Sequence, residues 1–294
     1  MISVIISSAD NTLLDQVAKN IAATIGLPFE IIAIDNGGAQ QGICAAYNQG
    51  ASRAKYELLC FIHEDIIIKT NNWGAVLKNI FFDNDYIGLV GVVGNGYKPF
   101  TPSGWTGVDS THVRANILQS YKHSSKPIFH DHNNPGNFKK EQVACVDGVF
   151  LATTKKVFSE YKFDEILFSG FHGYDVDLSI AIGQKYKVVV TYEILLNHLS
   201  EGNYSREWVE DIIKLHEKWK SVLPININNT GFNERRQIEK RTFNHLFSLL
   251  IKFDFPISTA NRILWGNKKY REVKLFWKLQ FLIFKTYLKR DKSR

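Results

Sequence analysis

Two hydrophobic rhythms alternate along the first hundred residues. Residues 2–8 and 29–35 (FEIIAID) are short, almost continuous apolar runs rich in β-branched side chains, and 56–62 (YELLCFI) is a third. Runs of this length and kind predict buried strands. Between the first two, Leu13, Leu14, Val17, Ala18, Ile21, Ala22 and Ile25 recur at helical spacing. Asp10 or Asn11 can cap that helix, and Gly26 and Pro28 end it. A second helix is predicted over about 42–54 and a third over about 72–82, followed by a strand at 87–94 (IGLVGVVG). Strand and helix in alternation predict an α/β fold with right-handed βαβ units and a parallel sheet. Ligands of such sheets bind beyond the carboxyl ends of the strands. The polar residues at those ends are Ser7 and Ser8, Asp35 and Asn36, and His63-Glu64-Asp65.

Residues 95–141 break the rhythm with glycines, prolines, histidines and Trp105, as a functional or mobile loop region does. Regular pattern returns with a strand over 142–153 that runs through Asp147-Gly148, a short helix, a strand at 187–192 (KVVVTY) and an amphipathic helix over 206–223. The three cysteines, Cys44, Cys60 and Cys145, form no CxxC pair, which fits a reducing compartment and no zinc site. The amino terminus has no basic n-region, so its apolar run reads as a strand and not a signal peptide. Charge divides the chain more sharply than composition does. Residues 232–294 carry 16 Lys/Arg against 5 Asp/Glu, a balance of +11, whereas the remainder carries −4. The expected organisation is a body over 1–225 and a basic helical tail over 226–294, with a partner of its own for the tail.

Four segments, in order, resemble the family 2 glycosyltransferases. They are VIIS with its helix and EIIAIDN; GICAAYNQGASRAKYELLCFIHED; VDGVFLATTKKVF; and FDEILFSGFHGYDVDLSIAIGQKYKVVV. The likeness covers about 200 residues and stops before the tail. Within that family the chain resembles a subgroup with His-x-Asp in place of Asp-x-Asp. The resemblance implies a GT-A fold, a mixed and mainly parallel sheet flanked by helices, here extended by C-terminal helices. It also implies an inverting transferase that moves a sugar from a nucleotide-sugar donor to a glycan or glycolipid acceptor. Two positions depart from the family pattern: His63 stands where Asp is usual, and Tyr174 stands where Glu precedes the base.

Sugar transfer must stabilise a departing diphosphate and take a proton from the acceptor hydroxyl. A divalent cation, Mn²⁺ or Mg²⁺, does the first with few carboxylate ligands. Asp65, just past a strand, is the expected ligand; His63 lies on the same side by two-residue alternation and favours Mn²⁺. His198 resembles a His that joins the metal or diphosphate in some GT-A enzymes. Asp175 is the expected general base, its alternative role being to open a helix together with Asp177. Resemblance assigns Asp35 to the nucleotide, with Ser7 and Asn36 beside it, and Asp147 to the donor sugar or acceptor. For Asp35 the alternative is a turn with Asn36-Gly37. His172 is a candidate for holding acceptor or phosphate, and Trp105 for stacking on a sugar ring; each has a purely structural alternative.

In the tail, Lys274, Lys278, Lys285 and Lys289 fall within a stripe of about 60° on a helical wheel, with aromatic and aliphatic residues on the other faces. That is the pattern of a helix lying in a lipid interface, so an anionic membrane surface is the expected partner; the alternative is packing on the protein itself. No nucleic-acid reader motif accompanies the charge. The expected location is cytoplasmic, peripheral on the inner face of the cell membrane. A second functional reading is a degenerate GT-A domain that binds nucleotide or glycan without turnover and recruits partners to the membrane.

Overall fold

The computed structural model describes residues 1–38, 41–83, 86–107, 110–122 and 126–291, with only the backbone for 288–291. The described chain forms two units, Met1–Gly96 with Val113–Asn203, and Tyr97–His112 with Tyr204–Arg294. The second unit thus begins earlier than the change of charge at 226 and takes in a piece of the irregular middle.

The first unit is built on two sheets. The larger has seven strands in the order Lys140–Val143, Lys187–Thr191, Ile87–Gly91, Phe150–Thr154, Leu58–Ile62, Ile2–Ser8, Phe29–Asp35. Ile2–Ser8 lies parallel between Leu58–Ile62 and Phe29–Asp35, as the βαβ rhythm requires. Phe150–Thr154 and the edge strand Lys140–Val143 run against the other five strands, which share one direction, so the sheet is mixed and mainly parallel. The smaller sheet holds Cys145–Val146, Val93–Asn95, Val113–Gln119, Leu196–His198 and Ile66–Ile68, with Phe129–Asn133 paired to Val113–Gln119. Two apolar runs that read as single strands are therefore divided between sheets. The 87–94 run breaks at Val92, and the 142–153 run breaks at Ala144 and again at Asp147–Val149.

Local chemistry accounts for the helices. The Asp10 side chain accepts the N–H groups of Thr12 (2.8 Å) and Leu13 (3.2 Å) at the start of Asn11–Thr24, satisfying donors that have no partner within the helix. Helix Ile43–Arg53 lies on the strand Ile2–Ser8, with Tyr47 fully buried and its hydroxyl donating to the Ile62 carbonyl at 3.2 Å. Close approach there depends on Gly50, where a Cβ would come within 2.3 Å of Ile5 Cγ2.

The second unit is a set of helices, Arg206–Lys218, Phe232–Lys252, Ile257–Gly266, Lys269–Glu272 and Phe276–Asp291, with a short antiparallel pair of Tyr97–Lys98 and Ile225–Asn226. Glu239, wholly buried, explains why 97–112 belongs here. Its carboxylate accepts the Tyr97 hydroxyl and the N–H groups of Phe100 and Thr101, each at 3.0 Å. A buried carboxylate is tolerable only with such a full set of donors. Among the described residues no helix is long and apolar enough to cross a membrane.

Gly50→Ala is expected to lower unfolding free energy by about 1–3 kcal/mol through overpacking against Ile5, even though alanine is the better helix former. Urea denaturation of the variant beside the wild type measures this, and an unchanged or raised midpoint would contradict the packing described.

Candidate functional site

The chain crosses from the larger sheet to the smaller and back, and the polar residues of the site occupy the crossings. Strand Leu58–Ile62 passes into Ile66–Ile68 through three residues, His63, Glu64 and Asp65. Cys145–Val146 passes back into Phe150–Thr154 through Asp147, Gly148 and Val149. Register holds the two crossings side by side: Phe150 pairs with Ile62, and the His63 N–H donates to the Val149 carbonyl at 3.3 Å. His198 comes alongside because Leu196–His198 pairs antiparallel with Ile66–Ile68, and the Leu199 N–H donates to the Asp65 carbonyl at 2.9 Å.

His63, Asp65 and His198 consequently converge, each half-buried, with one ligand atom apiece within 4.8 Å of the others. His198 Nε2 stands 3.5 Å from Asp65 Oδ2, and His63 Nδ1 stands 3.9 Å from Asp65 Oδ1. The Ser200 hydroxyl donates to Asp65 Oδ2 at 2.5 Å. Burial alone would raise the Asp65 pKa, but the hydrogen bond and charge of His198, with Ser200 and His63, hold it well below the usual carboxylate range. Burial acts first on His198 too and favours its neutral form, yet Asp65 more than reverses this and raises its pKa. His63 moves the other way, lowered by burial and by the nearby His198. One ionised carboxylate between two imidazoles is a donor set that could hold a first-row divalent cation.

The second acidic group lies next to the first. Asp175 sits in the first turn of the helix Tyr174–Gly183 and accepts the Gly148 N–H at 3.1 Å through Oδ2. Asp147 Oδ1 accepts the Val149 N–H at 2.9 Å. Burial and then the charge of Asp147 push Asp175 up to about 7. Two carboxylates close together do not both ionise readily, which favours the protonated form of one. Tyr174 ties this helix to the cluster, its hydroxyl 2.8 Å from His63 Nε2. Asp177, in the same first turn, is buried.

The remaining sequence candidates fall in different places. Ser7 and Asn36 meet at the rim, Asn36 Nδ2 donating to Ser7 Oγ at 3.3 Å, and Asn36 also exchanges hydrogen bonds with the Gln41 backbone. Asp35 is exposed beside them, with Oδ1 accepting the Gly37 N–H at 3.0 Å, so the turn predicted as its alternative role is made. His172 is half-buried and follows Phe171, whose ring lies 5.5 Å from His63. Trp105 is half-buried and belongs to the second unit.

Three contributors have no role in the sequence reading, although Glu64 and Tyr174 stand in its motifs. Glu64 accepts the Ser8 hydroxyl at 2.6 Å and the N–H groups of Ala9 and Asp10 at 3.2 Å, clamping the loop after the first strand. Ser200 and Tyr174 are the others. The two-residue step from His198 to Ser200 was a usable signal; the partners of Glu64 and Tyr174 lie 54 or more residues away, beyond any local pattern.

A family model described as "Glycosyltransferase like family" matches residues 3–219, more than half of the chain, and the chain belongs to that family. No curated protein matches the sequence. Among solved structures, the chain is similar to GalNAc-T7 crystallised with UDP, GalNAc and Mn²⁺, at 13% identity and a TM-score of 0.49 over 84% of this chain. The chain spans only 56% of that protein's length. It is also similar to the mannosyltransferase PcManGT from Pyrobaculum calidifontis in complex with GDP-Man and Mn²⁺, at 10% identity and a TM-score of 0.46 over 98% of this chain and 86% of that one.

The raised Asp175 has a consequence for stability. The folded protein holds this proton up to about pH 7, whereas an unfolded carboxyl releases it near 3.8. Stability from this site therefore falls as pH rises from about 4 to about 7. Asp175→Asn removes the charge, so the variant should gain on the wild type between pH 5 and pH 8 in thermal unfolding; a constant difference across that range would contradict the assignment.

Proposed function

We propose that this member of the glycosyltransferase-like family transfers a sugar from a nucleotide-sugar donor to a hydroxyl of a glycan or glycolipid acceptor, inverting the anomeric carbon. The observation that carries the proposal is the His63, Asp65 and His198 group beside an Asp175 whose pKa is raised to about 7. His63, Asp65 and His198 would hold a divalent cation, Mn²⁺ before Mg²⁺ because two ligands are imidazoles, and bound there it would stabilise the diphosphate leaving group as a Lewis acid.

The chain's own groups do the rest. Asp175 accepts the proton of the attacking hydroxyl; a base with a pKa near working pH combines an available ionised form with adequate driving force. Asp147, across Gly148, orients hydroxyls of the donor sugar or acceptor and sustains the basicity of Asp175. Ser7, Asp35 and Asn36 line the rim for the base and ribose, and Glu64 keeps the loop that follows Ser7 in place. His172 is available to the acceptor. A second reading, a domain that binds nucleotide sugar without turnover, draws on the departures at His63 and Tyr174, and measured transfer separates the two.

The basic helices bring the enzyme to an anionic membrane surface, on the inner face of the cell membrane. Helix Phe276–Asp291 packs on its neighbours Ile257–Gly266 and Phe232–Lys252 through Phe276, Leu279 and Ile283, all buried. Part of the apolar surface expected to face lipid is thus used for packing. The outward face keeps Trp277 (77% exposed), Phe281 (65%) and Phe284 (58%) within an arc of about 60°. Lys278 and Lys285 are exposed along one side of that arc, while the Lys289 side chain lies outside the described residues. Aromatic side chains at lipid depth with lysines at the headgroups define an interfacial helix, and each lysine near an anionic leaflet contributes about 1 kcal/mol.

Two outcomes are expected. With Mn²⁺ and a panel of nucleotide sugars, transfer should rise as pH increases through about 7; Asp175→Asn should abolish most of it with donor affinity kept, and Asp65→Ala should remove Mn²⁺-dependent nucleotide affinity. Full turnover by either variant would refute its role. Replacing Trp277, Phe281 and Phe284 together by Ser should release the protein from phosphatidylserine vesicles in co-sedimentation, and undiminished pelleting would rule out this face.

A further inference from the structure

We infer that Tyr174 is the positioning residue of the cation site: its hydroxyl accepts the Nε2–H of His63 and so leaves Nδ1, unprotonated, facing a divalent ion shared with Asp65 and His198. This deepens the proposed function and rests on the metal reading given there.

The geometry assigns the two ring nitrogens to different tasks. A neutral imidazole has one N–H and one lone pair, and the hydrogen bond made by one nitrogen decides what the other can do. His63 Nε2 lies 2.8 Å from the Tyr174 hydroxyl. His63 Nδ1 points to the other side, 3.9 Å from Asp65 Oδ1, beyond hydrogen-bonding distance and within the three-residue group. A ligating histidine needs an acceptor for its second N–H to fix both tautomer and ring orientation. Tyr174 stands where that acceptor must be.

The hydroxyl is itself held in place. Tyr174 is 4% exposed, and its ring packs at 5.9 Å from those of Tyr47 and Phe163. Gly173 precedes it at φ 81°, a left-handed turn that aims the first residue of the helix inward. Gly148 supplies the room, since a Cβ there would fall 2.0 Å from the Tyr174 oxygen. Burial, followed by the charges of neighbouring groups, raises the tyrosine pKa well above its ordinary value, so the group stays a neutral phenol. Because Asp175 is the next residue, the same helical turn sets the cation ligand and the base.

The two positions that depart from the family pattern are therefore partners. Imidazole in place of carboxylate at 63 needs an oriented second nitrogen, and tyrosine at 174 provides the orientation.

The test uses the full chain and Tyr174→Phe, which keeps the ring and removes only the hydroxyl. Mn²⁺ affinity by calorimetry, without substrate, should weaken about 10- to 100-fold, whereas a purely structural tyrosine would lower the melting temperature and leave the affinity alone. Nitrogen-15 spectra of the wild type loaded with Cd²⁺, a diamagnetic probe, should show His63 ligated through Nδ1 and protonated at Nε2. Unchanged Mn²⁺ affinity in Tyr174→Phe, or ligation through Nε2, would overturn the inference with the metal site intact. A wild type that binds no Mn²⁺ would overturn the underlying metal reading as well, and the two failures are distinct.

Discussion

The site depends on one constraint, the side-by-side registration of two crossings between sheets. His63 N–H on the Val149 carbonyl and Leu199 N–H on the Asp65 carbonyl fix three segments that are far apart in sequence. Strand pairing continues on both sides, so none of the three can slide without breaking a ladder. Because side chains alternate along a strand, a slip of one residue would turn His63, Asp65 or His198 out of the group. Sheet hydrogen bonding, and not the side chains' own attraction, brings the polar groups together.

Once assembled, that arrangement separates the carboxylates into two kinds. Asp65 receives a serine hydroxyl and lies between imidazoles, so it stays ionised despite its burial. Asp175 lies against Asp147 with little solvent and holds its proton to about pH 7. Environments that push neighbouring acids apart in pKa are how one site assigns a charge-binding role to one and proton transfer to another. Gly148 stands at the centre of this division. Its N–H binds Asp175, its neighbour is Asp147, and its missing side chain admits the Tyr174 hydroxyl.

Much of this was legible in the sequence. The first three strands and the helices between them follow from runs of β-branched residues and helical spacing, and of the two candidate caps, Asp10 and Asn11, the structure uses Asp10. Ordered family-like motifs pointed to His63, Asp65, Asp147, Asp175 and His198 before any coordinates. The breaks at Val92 and at Asp147–Val149 were not legible, because a buried strand of either sheet is equally apolar and periodicity cannot say where the chain changes partner. Nor was the attachment of 97–112 to the helical unit, which depends on Glu239 meeting Phe100 and Thr101 from more than 130 residues away. In the last helix the spacing of lysines was visible, but which apolar residues pack inward and which remain exposed is decided by neighbouring helices.

The central claim is that a cation sits where the two crossings meet. Crystals grown with Mn²⁺ and a nucleoside diphosphate, measured at the manganese absorption edge, test it most directly. The account predicts one strong anomalous peak bonded to His63, Asp65 and His198; a peak elsewhere, with those three side chains free of metal, would contradict it.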